Sequence, residues 1–136
     1  MSHLARAARA FGLALLLTGL SGCLDTPTDG GRRSGEMRAS LVSPHGAEGS
    51  AVLEVVSGEI LDVASPGPFV RVYWGISNVR RVVVIRRDPG EIAFRLLARD
   101  VNDPPELRVL EVGGPDDVLR PSLSGYSVTV TRGGNP

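Results

Sequence analysis

"VRRVVVIRRDPGEIAFRLLAR", residues 79–99, sets two apolar runs on either side of Asp88, Pro89 and Gly90. In the second run Ile92, Phe94, Leu96 and Ala98 alternate with Ala93, Arg95, Leu97 and Arg99, a period of two that assigns one set to each face of a strand. Proline presets φ and glycine accepts positive φ, so Asp-Pro-Gly between two such runs reads as the turn of a β-hairpin, the clearest hairpin signal in the chain.

Outward from this stretch the pattern repeats. Segments rich in β-branched residues are expected as strands near residues 37–43, 50–57, 59–64, 69–75, 79–87, 91–99, 106–112 and 126–132. They are separated by the turn clusters "SPHGAEG", "SPGP", "RDPG", "NDPP", "GGPDD" and "LSG". No stretch from residue 36 onward keeps an amphipathic helical period for long. Near the middle, Val70, Val72 and Trp74 share one face while Phe69, Arg71 and Tyr73 share the other. Seven or eight strands, each with one apolar face, are best satisfied by two packed antiparallel sheets, so the expected fold is an all-β sandwich. An open or closed barrel is the alternative. The segment "SLVSPHGAEGSAVLEVVSGEILDV", residues 40–63, is similar to the opening of small uncharacterised bacterial lipoproteins with a cohesin-like or immunoglobulin-like sandwich. That resemblance implies the same architecture and transfers no binding residue.

The first 22 residues have the layout of a secretory signal: Arg6 and Arg9, an apolar stretch over residues 10–17, then the small residues Thr18, Gly19, Ser21 and Gly22. The apolar stretch falls short of the ~20 residues that a helix needs to cross a bilayer, so cleavage is expected in place of a permanent span. "LSGC" (Leu20, Ser21, Gly22, Cys23) resembles the lipobox of bacterial lipoproteins. The resemblance implies that Cys23, the chain's only cysteine, carries a diacylglyceryl thioether and becomes the acylated amino terminus. Two or three acyl chains bury enough methylenes, at about 0.8 kcal/mol each, to hold a protein at a membrane for long periods. The same resemblance implies a cell-envelope location. Leu24 stands where an inner-membrane retention aspartate would be, so it favours the outer membrane, facing the periplasm or the cell surface.

Residues 23–35 are poor in apolar side chains and rich in Gly, Pro, Thr and Asp, which makes them a flexible tether of at most about 40 Å. Residues 36–133 then form one domain and residues 134–136 a short tail. With a single cysteine no intrachain disulfide can form, so the core alone must stabilise this domain.

The chain carries 15 basic and 15 acidic residues and shows no basic excess of the kind that nucleic-acid binding requires. Charge is nevertheless uneven: residues 71–99 hold seven arginines against Asp88 and Glu91, whereas residues 36–62 and 100–117 are acidic. Read as a site, this gives an arginine-bearing sheet face of Phe69, Arg71, Tyr73, Arg81 and Arg95 for an envelope protein or an anionic glycan. Read as architecture, basic strands lie beside acidic ones and cross-strand ion pairs cancel the field.

Signals for catalysis are weak. His45 is the only histidine after the signal and sits in a Pro-Gly turn; no serine occupies a G-x-S-x-G elbow. Asp116 and Asp117 could serve as a carboxylate pair, but adjacent residues rarely flank one bond. "RDVNDPPE" resembles the calcium-binding linker of cadherin repeats, which implies Asp100, Asn102, Asp103 and Glu106 as oxygen donors; the same residues are also ordinary turn formers. The expectation is a non-enzymatic, lipid-anchored binding or structural module without cofactor or metal. A calcium-stabilised adhesion module is the alternative, and a hydrolase using acidic residues a weaker one.

Overall fold

The computed structural model describes residues 31–76 and 80–133; the signal segment, Cys23 and the tail lie outside the described residues. The described chain is an all-β, two-sheet sandwich of eight strands: β1 Gly35–Val42, β2 Glu48–Ser57, β3 Ile60–Ala64, β4 Val70–Ile76, β5 Arg80–Gly90, β6 Ala93–Ala98, β7 Glu106–Gly113 and β8 Ser127–Arg132. One sheet has the order β3-β6-β1-β8 and the other β4-β5-β2-β7, with every pairing antiparallel. We call them the β1 sheet and the β2 sheet.

The pairings are nested: β1 with β8, β2 with β7, β3 with β6 and β4 with β5. The chain is thus one long antiparallel ribbon folded at β4–β5 and rolled up, in the manner of a jelly roll, with β6–β1 and β5–β2 joining the layers of the roll. In the immunoglobulin arrangement the first two strands share a sheet. Here β1 and β2 belong to different sheets, so the common ground is the two-layer architecture. Edge strands β7 and β8 approach each other on one side of the sandwich, and β3 and β4 on the other.

All eight expected strands are present, but the Asp-Pro-Gly hairpin is not. β5 pairs with β4 and β2, β6 pairs with β1 and β3, and the two strands flanking the tripeptide never meet in one sheet. Long-range pairing with β2 and β1 separates the two strands, and a local bulge makes the crossing. The β2–β5 register shifts between Glu48 and Ser50, leaving a bulge on β5 that ends at Gly90. Arg86 staples this bulge, donating from Nε to the carbonyl of Asp88 and from Nη1 to that of Glu91, both at 2.8 Å. The chain then crosses between the sheets, where the Ile92 carbonyl accepts from the Leu41 N–H. Among the described strands β4 and β5 are consecutive in sequence and paired in one sheet, and residues 77–79 between them lie outside the described residues.

Alternation fills the core: Met37, Ala39 and Leu41 on β1, Ala51, Leu53 and Val55 on β2, Val82 and Val84 on β5, and on β6 Phe94, Leu96 and Ala98, the set that the sequence placed on one face, are buried. Val72 and Trp74 pack partly against them, and the buried Trp74 Nε1–H has no partner among the described residues. β7 changes phase along its length. Its register shifts at Leu110, so that Leu107, Val109 and then Val112 face inward while Glu111 turns out.

The order of the chain also gives the sandwich two distinct ends. β1 and β8 are antiparallel neighbours, with Met37 opposite Arg132, so the start and finish of the domain emerge together. Ser34 and the strand that follows are preceded by Arg33, already bonded through its N–H to Asp100 and through its carbonyl to Val101. The connections β1–β2, β3–β4, β5–β6 and β7–β8 all lie at the opposite end, about 26 Å away along the eight residues of β1.

Candidate functional site

Of the five residues expected to share a face, four do. Phe69 and the β4 residues Arg71 and Tyr73 point outward from the β2 sheet; Phe69 is 53% and Tyr73 58% exposed. Arg81 on β5 points the same way, standing between Gly75 and Glu54 in register. Arg95 does not belong with them. It lies on β6, pairs in register with Arg38, and projects from the outer face of the β1 sheet, where Glu36 binds it at 3.4 Å. Two further exposed residues complete the β2-sheet face: Ile85, opposite Arg71, and Arg87, whose N–H donates to the Phe69 carbonyl. The sequence placed Arg87 in a basic stretch, and only the β4–β5 register sets it beside Phe69.

Most other arginines are already engaged. Arg38 pairs with Glu91, Arg95 with Glu36, Arg99 with Glu59, Arg108 with Glu54 and Arg120 with Glu48. Arg80 donates to the Gly58 carbonyl, Arg86 to Asp88 and Glu91, and Arg132 to Asn102. The architectural reading of the arginines therefore describes much of the molecule. It fails at Arg71, Arg81 and Arg87, whose guanidinium groups have no bonding partner among the described residues. Glu54 stands opposite Arg81, but its carboxylate is taken by Arg108. What remains is a sheet face with three uncompensated positive charges interleaved with Phe69, Tyr73 and Ile85, a chemistry suited to docking a negatively charged surface that also has apolar parts.

A second polar assembly, not foreseen from the sequence, sits at the end of the sandwich away from the termini. Glu48 is 1% exposed. Its Oε1 accepts from the Ser43 hydroxyl at 2.7 Å and the Tyr126 hydroxyl at 2.5 Å; its Oε2 accepts from Nε and Nη2 of Arg120. Burial pushes the Glu48 pKa up, but the hydrogen bonds from Tyr126, Ser43 and Arg120 outweigh it and hold the carboxyl below its ordinary 4.5. Burial and the bond to Glu48 push Tyr126 up, and the bond to Glu48 raises Arg120. Gly49 lets the backbone close here, since a Cβ would lie 2.7 Å from the Gly114 carbonyl oxygen. With both carboxylate oxygens consumed, the assembly acts as a tie between the β1–β2 and β7–β8 connections. Its legible signal was a glutamate at the head of a strand whose inward positions, Ala51, Leu53 and Val55, are apolar.

The remaining candidates are turn residues. His45 is exposed, its N–H donates to Ser43 Oγ, and its ring lies 5.8 Å from that of Tyr126. Asp116 Oδ1 accepts from the Val118 N–H, and Asp117 adopts φ of 61° in the same tight turn. Asp100 Oδ1 accepts from the N–H groups of Asn102 and Arg33, and the Asn102 side-chain oxygen accepts from Arg132. Glu106 Oε2 accepts from Ser57. Of the four expected calcium donors Asp100, Asn102 and Glu106 thus accept bonds from other residues of the chain, and among the described residues no three His, Cys, Asp or Glu side chains are grouped to hold a metal ion. Compared with protein-family models, curated proteins and solved structures, the chain matches none.

Proposed function

We propose that the protein is a lipid-anchored module of a bacterial cell envelope whose work is binding, not catalysis, and that its working surface is the outer face of the β2 sheet. The observation that carries this reading is the contrast among arginines. Five are paired with glutamates, whereas Arg71, Arg81 and Arg87 stand together beside Phe69 and Tyr73 with no carboxylate bonded to them among the described residues. Unpaired arginines on a rigid sheet retain their charge for a partner, and neighbouring aromatic surface adds apolar contact. The partner is therefore one that carries negative charge. The lipobox-like "LSGC" supports attachment through Cys23. Because the domain's start lies at one end of the sandwich, a tether there leaves the strand faces standing clear of the membrane.

Retention of the full-length protein on immobilised dextran sulfate tests the face. Arg71→Glu/Arg81→Glu is expected to elute at markedly lower salt than Arg38→Glu/Arg95→Glu, which makes the same change in net charge on the other sheet. Equal elution of the two variants would remove the β2-sheet face as the binding surface.

A further inference from the structure

The outer face of the β2 sheet is not uniformly basic; it is divided. Arg71, Arg81 and Arg87 occupy β4 and β5, while Glu54, Glu106 and Glu111 occupy β2 and β7, offset there only by Arg108. Between the two halves runs an apolar strip of Val52 and Val83, direct neighbours in register, flanked by Tyr73 and Ile85. From the β4 edge to the β7 edge, the registers align Tyr73–Val83–Val52–Glu111 in one row and Gly75–Arg81–Glu54–Arg108 in the next.

We propose that the negatively charged surface met by the arginine half of this face is the acidic β2–β7 half of the same face on a second copy, forming a two-fold symmetric dimer. The proposal rests on the reading of the β2-sheet face as the working surface. A two-fold axis lying in the interface and running along the strands exchanges β4 with β7 and β5 with β2. It lays Val83 on Val52 of the second copy, Arg81 on its Glu54, and Arg71 and Tyr73 beside its Glu111. An axis across the strands would instead bring arginine onto arginine, so charge selects the first arrangement. That arrangement also keeps both copies pointing the same way. The two chain starts then emerge at one end, as two tethers to one membrane require.

Four strands at ~4.8 Å and about seven residues at ~3.3 Å give a flat area of roughly 440 Å² per copy. This lies toward the small end for specific interfaces, so association in solution is weak and confinement to a membrane strengthens it by raising the effective concentration.

The test is sedimentation equilibrium of the full-length protein in detergent, from micromolar to millimolar concentration. The wild type is expected to rise toward twice the monomer mass. Arg71→Glu and Glu111→Arg should each weaken the dimer by about tenfold or more, and the double variant Arg71→Glu/Glu111→Arg should recover it. Within one chain these residues are on opposite edge strands, about 14 Å apart at the backbone, so recovery reports a contact between copies. A wild type that stays monomeric, single variants that still dimerise, or a double variant that does not recover would each overturn the dimer. Dextran sulfate retention of the same variants separates the two ideas: a monomeric wild type whose retention falls with Arg71→Glu overturns the dimer and leaves the binding face standing.

Discussion

Arg120 donates from both Nε and Nη2 to a single oxygen of Glu48, at 3.1 and 3.0 Å, across 72 residues of sequence. The contact joins the β7–β8 connection to the head of β2, and the Tyr126 and Ser43 hydroxyls complete it from two further directions. Glu48→Ala removes all four hydrogen bonds and is expected to cost about 2–3 kcal/mol in urea unfolding. Arg120→Ala should lower the urea midpoint further than Glu48→Ala, because it leaves a buried carboxylate without its cation. A smaller effect for Arg120→Ala would contradict this account of the tie.

The pH dependence follows from the direction of the Glu48 shift. Its folded pKa lies below the ordinary 4.5, so the native state holds the carboxylate more strongly ionised than the unfolded chain does. The associated stability is fully present above about pH 4.5 and disappears as pH falls through the lowered folded value. Urea midpoints measured on descending pH should therefore fall more steeply for the wild type than for Glu48→Gln in this range. Parallel profiles would show that Glu48 does not carry the acid sensitivity.

Arg86 and Gly90 form the next testable pair. A Cβ at Gly90 would lie 2.9 Å from Arg86 Nη2, the far end of the side chain that staples the β5 bulge. Gly90→Ala should cost about 1–2 kcal/mol by displacing the guanidinium from its two carbonyls, and Arg86→Ala a similar amount. Combined, they should cost much less than their sum, because without Arg86 the added methyl has room. Additive losses would mean that the bulge does not depend on the staple.

These features mark where the sequence was and was not legible. β-branched runs between turn clusters identified all eight strands, and period-two alternation grouped the residues of β4 and β6 that share a face, because burial on one face imposes that period directly. Asp88-Pro89-Gly90 misled because a turn tripeptide specifies a local change of direction, while the sheet that the next strand joins depends on pairings with β1 and β2, far away in sequence. Arg95 was grouped with Arg71 for the same reason: alternation gives the face of a strand but not the sheet that holds it. Glu48 at the head of β2 lies 72 and 78 residues from Arg120 and Tyr126 in the β7–β8 connection, and no local pattern joins them.

Leu110 shows the consequence of one residue of phase. Its bulge lets both Val109 and Val112 contribute to the core while Glu111 faces out. Deleting Leu110 makes Val109 and Glu111 consecutive, so regular alternation still keeps Val109 and Val112 inward and Glu111 outward, and the variant should keep a cooperative thermal transition by circular dichroism. Loss of that transition would show that the fold needs the bulge itself and not only the phase it gives to β7.

Intact mass and membrane partition of the full-length chain, measured beside Cys23→Ala, test the anchored reading most directly. The expected result is a mature mass that begins at Cys23 with added diacylglyceryl and acyl groups, found in the membrane fraction, with both modification and partition lost in the variant. An unmodified wild-type chain that partitions like Cys23→Ala would contradict it, and the β2-sheet face would then belong to a protein that no lipid holds.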